Sequence, residues 1–220
     1  MATRTASPTR PAGRSAAVPL ADPAPAGDRL PVRERLLAAA DELFYREGIN
    51  SVGIDRVLAE AGVAKASLYA TFGSKEELVR AYLEGKSASR RARIEAKIAQ
   101  HKAPREQLLA IFDAMAETCS MPGFRGCAFV KANSELPGGE RTRPVADSYR
   151  AYIRELFTRL AKEAGARNAP ALAQQLVLLY DGALVSAQMD GNLEAPRTAR
   201  AMAAALLDAS VASRAAAKAR

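Results

Sequence analysis

The segment AGVAKASLYATFGSKEEL, residues 61–78, decides the fold because glycines separate short pieces of helical periodicity within it. Gly62 ends an apolar-periodic piece that precedes it, and Gly73 ends the piece that follows. Leu68 and Phe72 lie one helical turn apart in that second piece, so one of its faces is apolar. The pattern predicts a short helix, a sharp turn and a second short helix, which is the helix-turn-helix arrangement.

The outer face of the second helix carries small and polar side chains, namely Lys65, Ala66, Ser67, Tyr69 and Thr71. In a helix-turn-helix the second helix enters the major groove of DNA. Small side chains let the backbone approach base edges, and an alanine or threonine methyl can touch a thymine methyl. Tyr69 and Thr71 can donate hydrogen bonds to phosphates. The segment therefore predicts a DNA-binding surface, although a plain packed helix pair is the alternative.

The next helix begins with a capping signature. Ser74, followed three residues later by Glu77, predicts a capping box that satisfies two backbone amides reciprocally. Lys75 lies at that helix start, where free amides and the helix dipole favour a phosphate, so we expect Lys75 to contact the DNA backbone.

The formal net charge of +8 is unevenly distributed. Residues 32–86 hold eight basic and nine acidic residues, whereas residues 87–103 hold five basic and one acidic residue. A nearly neutral region counts against DNA binding, because duplex affinity depends on counterion release. Two such regions in a dimer, or help from the arginines of residues 1–30, would compensate.

The composition favours a helical protein, since alanine is abundant and β-branched residues are sparse. We expect an all-α fold with a disordered, proline-rich arm at 1–30. A helix-turn-helix domain is expected at 31–83, and a ligand-binding and dimerisation domain at 84–220. Predicted helices cover about 32–48, 54–61, 65–72, 74–100, 105–120, 127–136, 145–164, 171–190 and 196–217.

Residues 36–83, LLAAADELFYREGINSVGIDRVLAEAGVAKASLYATFGSKEELVRAYL, resemble the DNA-binding head of TetR-family bacterial transcriptional repressors. The resemblance implies base contacts from Lys65, Ala66 and Ser67, and backbone contacts from Tyr69, Thr71 and Lys75. Many members carry Thr or Ser where this chain has Val52 and Gly53, so Ser51 is the expected substitute for that phosphate contact.

The resemblance also implies an effector pocket in the helical body, lined by apolar side chains with a few polar anchors. Core packing is the alternative for each candidate. The candidates are Phe112, Met115, Phe124, Cys127, Phe129, Tyr149, Tyr152, Phe157, Leu176, Tyr180 and Met189.

Cys127 stands out within RGCAFVKANSEL, residues 125–136, because it opens a short helix next to a glycine. A helix start favours the thiolate, which is the reactive form of cysteine. The segment resembles one in TetR-family members that respond to oxidants or electrophiles through a cysteine. A small buried cysteine acting as a hydrophobe is the alternative.

The last two predicted helices are apolar on more than one face and rich in small residues, which favours a homodimer interface. Core packing within a monomer is the alternative. The expected partners are therefore a second copy, a double-stranded DNA operator and a small-molecule effector. No cofactor, metal or membrane association is predicted, and two cysteines and no apolar run long enough to span a bilayer favour a cytoplasmic protein.

Two other functions remain open at this point. A helical DNA-packaging protein would need no effector, although the aromatic-rich body argues against it. An enzyme would need catalytic groups, yet the sequence holds a single histidine, His101, and neither a nucleophile elbow nor a phosphate-binding glycine loop.

Overall fold

The computed structural model describes residues 30–218, with side chains described as far as residue 211. Within that range the regular secondary structure is entirely helical, which confirms the all-α prediction. The predicted arm lies outside the described residues except for Leu30. The helices are α1 (Val32–Glu47), α2 (Ile54–Ala61), α3 (Lys65–Phe72), α4 (Lys75–Ile98), α5 (Pro104–Ser120), α6 (Ala128–Glu135), α7 (Arg143–Glu163), α8 (Ala169–Asp190) and α9 (Glu194–Lys218).

The helix boundaries follow local signals in the sequence, and the predicted limits are confirmed to within one turn. Pro104 occupies the first turn of α5, where its missing N–H costs nothing. The Asn168 side chain caps α8 by accepting from the Ala171 amide at 3.2 Å. Gly191 ends α8 in the left-handed conformation.

The sharp turn between α2 and α3 depends on Gly62, which adopts φ 61° and ψ 43°. This left-handed conformation costs other L-residues roughly 1–2 kcal/mol because of their Cβ atom. Arg35 of α1 fixes the turn from outside by donating to the Gly62 carbonyl at 3.1 Å. The angle between α2 and α3 is thus held by both backbone conformation and a tertiary hydrogen bond.

The capping box at the start of α4 forms only in half. The Ser74 hydroxyl accepts from the Glu77 amide at 3.2 Å, as predicted. The Glu77 carboxylate, however, accepts hydrogen bonds from Arg80 and Arg141. The reciprocal half of the predicted box is therefore wrong, because two guanidinium groups compete for the same carboxylate.

Helix α4 connects the first three helices to the rest of the bundle and runs without interruption through 83/84. Its early part contacts α1, and its later part lies against α5, α6 and α7. Leu36, Leu43 and Phe44 of α1 are buried against this arrangement. The division into domains at 31–83 and 84–220 stays a prediction, since the described residues from Pro31 onward form one compact unit.

The basic stretch at 87–103 faces the body more than the solvent. Arg90 is buried, and the Arg91 guanidinium lies over the Tyr152 ring at 4.3 Å. Arg93 donates to the Thr118 hydroxyl at 3.1 Å, and Lys97 forms an ion pair with Glu117 at 2.5 Å. These side chains join α4 to α5 and α7, so most of this positive charge serves internal contacts. None of the helices in the described residues is both long and apolar enough to cross a membrane.

Candidate DNA-binding helix and effector cavity

Helix α3 presents one buried face and one open face. Leu68 is fully buried in the core with Val57 and Leu58 of α2, whereas the Tyr69 side chain is 48% exposed. Lys65, Ala66 and Thr71 are also exposed, and Ser67 is half-buried. The five predicted DNA contacts of this helix therefore lie on or beside one accessible surface.

The polar groups of that surface make only weak or local contacts. The Lys65 ammonium lies 3.4 Å from Asp55, and both side chains are well exposed. The Thr71 hydroxyl donates to the Ser67 carbonyl at 2.6 Å, one turn earlier in α3. An exposed ion pair of this kind contributes less than about 1 kcal/mol, so Lys65 can leave Asp55 at little cost.

Both α2 and α3 begin without a side-chain cap, at Gly53 and Ala64. The first amides of a helix lack intrahelical partners, and together with the helix dipole they attract anions. Ser51 is exposed in the turn that precedes α2. The arrangement puts free backbone donors and a hydroxyl at the edges of the α3 surface.

The Lys75 side chain turns towards α1 and the turn that follows it. Its ammonium donates to the Ile49 carbonyl at 2.7 Å and lies 5.9 Å from the centre of the Phe44 ring. Burial lowers the pKa of Lys75 below its ordinary value. The Lys75 ammonium is thus engaged in fixing the α1–α2 turn and not in an open position for a phosphate. The expected contact of Lys75 with the DNA backbone stays a prediction, and its backbone amide is the group that could make it.

A cavity of about 340 Å³ lies among α4, α6, α7 and α8. This volume is in the range of small-molecule sites in proteins. Four of the predicted pocket residues line it: Cys127, Phe129, Tyr149 and Tyr180. The Phe129 and Tyr149 rings stack with centroids 4.6 Å apart, and the Tyr149 and Tyr180 hydroxyls lie 3.3 Å from each other.

The other predicted pocket residues lie elsewhere. Phe112 and Met115 are fully buried in the core, where Phe112 packs against Phe157 and Tyr180. Tyr152 faces α4, with its ring under Arg91 and its hydroxyl 3.4 Å from Glu95. Met189 is 79% exposed, and Phe124 borders a different depression. Helical periodicity identified most of the inward-facing side chains, but it misplaced the exposed Met189 and did not separate core from cavity wall.

Arg90 is the cavity residue that sequence reasoning missed. Its side chain is only 8% exposed, and its Nη1 donates towards the Cys127 sulfur at 3.4 Å. Its guanidinium also lies 5.7 Å from the Phe129 ring centre. The available signal was spacing, because Arg90 stands two helical turns after Tyr82 and one turn before Ile94, within the apolar stripe of α4.

The two cysteines have different surroundings. Cys127 precedes α6 and faces the cavity beside Arg90, whereas Cys119 lies near the end of α5 and away from that cavity. Burial raises the pKa of the Cys119 thiol to about 11. Cys119 is therefore protonated at neutral pH, and both thiols are free.

The loop before α6 connects the cavity to α1 through one carbonyl group. The Gly126 oxygen accepts from the Tyr45 hydroxyl at 2.9 Å and from Arg90 Nη2 at 3.4 Å. The Tyr45 hydroxyl in turn accepts from the Arg125 amide at 2.9 Å. Gly126 has φ +86°, and a Cβ there would lie 1.7 Å from the Gln188 side chain, so this carbonyl orientation requires glycine.

Helix α6 also contacts the turn between α1 and α2. The Glu135 carboxylate accepts from the Asn50 amide at 2.9 Å, and the Asn50 side chain donates to the Glu135 carbonyl at 2.6 Å. At the other end of this contact, Lys131 donates to the Tyr45 carbonyl at 2.8 Å. The eight residues of α6 thus border the cavity on one side and hold the helix-turn-helix on the other.

A second depression, of about 410 Å³, lies between α1, α4 and the α5–α6 loop. Charged side chains dominate its lining, including Asp41, Glu42, Arg46, Lys86 and Arg125. Two of them, Lys86 and Asp41, pair with each other at 2.6 Å. The cavity at Cys127 is the better small-molecule site, because apolar walls surround a few convergent polar groups there.

The short helices α2 and α3, the sharp turn at Gly62 and the open face of α3 define a helix-turn-helix protein of the DNA-binding class. The profile of bacterial regulatory proteins of the tetR family matches residues 36–82. The crystal structure of SCO4454, a TetR-family transcriptional regulator from Streptomyces coelicolor, is similar with a TM-score of 0.72 and 32% identity. That similarity covers 83% of this chain and 95% of the other.

The chain therefore belongs to the TetR family, as the sequence predicted. The crystal structure of Escherichia coli NemR in its reduced form is also similar, with a TM-score of 0.68 and 26% identity over 78% of this chain and 95% of that chain. Membership of a family of transcriptional regulators removes the enzyme alternative.

Similarity to functionally characterised relatives is partial. The transcriptional activator FasR of Mycolicibacterium smegmatis is 46% identical over 61 residues, which is 26% of this chain and 28% of FasR. The transcriptional repressor NemR of Escherichia coli is 30% identical over 106 residues, which is 47% of this chain and 53% of NemR. The aligned part of this chain thus spans between about a quarter and a half of these relatives.

Removal of the Tyr45 hydroxyl directly tests the contact between α1 and the loop before α6. We expect Tyr45→Phe to lower the free energy of unfolding by about 1–2 kcal/mol, because the Gly126 carbonyl and the Arg125 amide each lose a partner. Urea denaturation at fixed protein concentration measures the change. Tyr69→Phe is the matched control and should leave stability unchanged, and equal stability of the two variants would contradict the structural role of Tyr45.

Proposed function

We propose that the protein is a homodimeric transcriptional repressor that binds a palindromic operator through two copies of α3. A small molecule in the Cys127 cavity, or modification of that thiol, releases it. The single observation that carries the proposal is the open face of α3, on which Tyr69 is exposed while Leu68 anchors the helix to the core. A helix held in this way can enter a major groove without rearranging.

We propose two kinds of DNA contact for the residues of α3 and its surroundings, one to base edges and one to phosphates. Lys65, Ala66 and Ser67 lie on its first turn and are proposed to contact base edges. Tyr69, Thr71 and Ser51 are proposed to contact phosphates, together with the uncapped amides at the starts of α2 and α3. The Lys75 backbone amide is a further proposed donor, since its ammonium already binds the Ile49 carbonyl.

A second copy of the chain is the proposed partner of the outer faces of α8 and α9. Leu178, Val185 and Met189 follow one side of α8 with Gly182 between them, and Met202 is exposed on α9. Leu178 alone is 66% exposed. A contiguous apolar stripe of this kind is typical of protein interfaces, and two such helix pairs form a four-helix contact. Two linked helix-turn-helix units also bind one duplex far more tightly than a single, nearly neutral unit would.

Release is proposed to pass through α6. A ligand or a modified thiol at Cys127 changes the position of the loop that holds Tyr45, and the same helix holds Asn50 through Glu135. A shift of α6 therefore moves α1 and the turn before α2. In a dimer, such a movement changes the spacing of the two α3 helices, which must match successive major grooves of the operator.

Repression is favoured over activation because the match to the repressor NemR extends beyond the head, over 106 residues, whereas the match to the activator FasR covers 61. A DNA-packaging role is the second candidate, and it predicts no preference among DNA sequences. We place the protein in the cytoplasm, where its operator would be. The predicted N-terminal arm is proposed to add its arginines to the DNA contacts.

DNA selection tests the central proposal. Duplexes recovered from random sequence by the full chain should converge on a palindrome that is bound at least about a thousandfold more tightly than a scrambled duplex. Tyr69→Ala should weaken binding to that palindrome by about 1 kcal/mol or more, through loss of a phosphate hydrogen bond. Electrophoretic mobility shift measures both, and Lys162→Ala, an exposed cation on α7, is the control. Equal affinity for every duplex would instead support packaging.

The dimer has its own test. Leu178→Glu combined with Val185→Glu should raise the dissociation constant of the dimer at least about a hundredfold, or about 3 kcal/mol, because two charges would be buried without partners. Light scattering across a dilution series measures it. Met121→Glu introduces the same charge at an exposed apolar residue of the α5–α6 loop and should stay dimeric. A monomeric wild-type chain would contradict the proposal.

The response of DNA binding to oxidants should distinguish Cys127 from Cys119. Cys127→Ser should abolish any loss of DNA affinity caused by oxidants, because Cys127 faces the cavity and precedes the helix that holds the head. Cys119→Ser should respond like the wild type, since burial raises the pKa of Cys119 to about 11 and keeps that thiol protonated. Fluorescence anisotropy with labelled operator measures the response. Release of DNA by oxidised Cys127→Ser would remove Cys127 from the mechanism.

A further inference from the structure

The Arg90 guanidinium is a buried charge without an acidic partner. No Asp or Glu oxygen lies within 4.0 Å of it among the described residues. Its guanidinium donates to the Cys127 sulfur and to the Gly126 carbonyl, both at 3.4 Å. The contact with the carbonyl oxygen is long, because hydrogen bonds from a cation to oxygen are normally about 2.7–2.9 Å. An arginine does not escape this cost by losing its proton. The cavity therefore contains a buried cation that no carboxylate of the described residues neutralises.

The carboxylates that line the same cavity face other arginines than Arg90. Asp181 pairs with Arg150 at 2.5 Å, and Asp147 lies 3.8 Å from Arg143. These two carboxylates lie on the more exposed side of the cavity, whereas Arg90 lies at its buried end. The acidic side chains of the cavity thus do not compensate Arg90.

The nearest hydroxyl groups are neutral. Burial raises the pKa of Tyr149, and it raises the pKa of Tyr180 well above its ordinary value. Both phenols consequently keep their protons at physiological pH. They can share a hydrogen-bonded ligand with Arg90, but they cannot supply the missing negative charge.

The remaining walls are apolar and flat. The stacked rings of Phe129 and Tyr149 form one side, and Ile153 and Leu184 contribute aliphatic surface. A planar apolar body fits such walls, and a carboxylate matches the fork of a guanidinium through two parallel hydrogen bonds.

We propose that this cavity binds a small organic monoanion, a carboxylate attached to an aromatic or similarly flat apolar body, with Arg90 as the anion-binding residue. The inference rests on the proposed function, because it names the chemical class of the effector. Binding of the carboxylate supplies the counter-charge that Arg90 lacks and competes with the Gly126 carbonyl for the same donor.

Matched acids and amides test the charge requirement. Isothermal titration calorimetry of the full chain, without DNA, compares cinnamate with cinnamamide and benzoate with benzamide. Each acid should bind at least about tenfold more tightly than its amide, since a hydrogen bond to a charged group is worth more than about 1.4 kcal/mol here. Equal affinity of acid and amide, or no binding by either acid at millimolar concentration, overturns the inference.

Variants assign the preference to Arg90. Arg90→Met should remove the preference for the acids, and Arg90→Lys should retain part of it, because a lysine keeps the charge without the fork. Arg91→Met, the neighbouring cation on α4 whose side chain lies over Tyr152, should bind like the wild type. If Arg90→Met does not fold, Arg90→Lys and the acid–amide comparison decide the question. An undiminished preference in the folded Arg90 variants overturns the assignment.

The test of the anion site can fail without the test of the repressor failing, because ligand binding and DNA binding are measured independently. Selective DNA binding without a preference for acids contradicts only the anion class. A preference for acids without selective DNA binding contradicts the repressor and leaves the anion site in place.

Discussion

One carbonyl group, that of Gly126, connects helix α1 with the cavity. The Gly126 oxygen accepts hydrogen bonds from Tyr45 of α1 and from Arg90 in the cavity. Its orientation depends on a positive φ that glycine adopts without strain. Because α1 supports α2 and α3, any change that moves this carbonyl acts on the surface proposed to bind DNA. The proposed release mechanism uses this link between the helix-turn-helix and the cavity.

Two cations, the half-buried Lys75 and the buried Arg90, donate to main-chain carbonyl groups in different settings. The Lys75 ammonium donates to the Ile49 carbonyl at 2.7 Å, a short contact that fixes the α1–α2 turn. Arg90 donates to the Gly126 carbonyl and to the Cys127 sulfur, both at 3.4 Å, and it lines the cavity. Desolvation disfavours both charges, and no carboxylate lies within 4.0 Å of Arg90 among the described residues. The short contact of Lys75 is consistent with a structural role, and the position of Arg90 in the cavity wall with a binding role.

The sequence predicts the helices well because their boundaries are encoded locally, by Gly62, Gly73, Ser74 and Pro104. It also predicts which side of α3 is open, since Leu68 and Phe72 define the opposite face. It fails to separate Phe112 from Phe129, because periodicity identifies an inward face and not the space that this face meets. Contacts between distant segments, such as Asn50 with Glu135, carry no local signature and need the folded chain.

A ligand shifts a conformational equilibrium only by as much as its affinity differs between the two states. In the proposed mechanism that difference has a physical origin at Arg90. Its Nη2 donates to the Gly126 carbonyl, and the proposed carboxylate would take over the guanidinium and leave that carbonyl to Tyr45 alone. Modification of Cys127 would disturb the other donor, Nη1. Two different triggers thus act on one side chain, and both reach α1 through the same short loop.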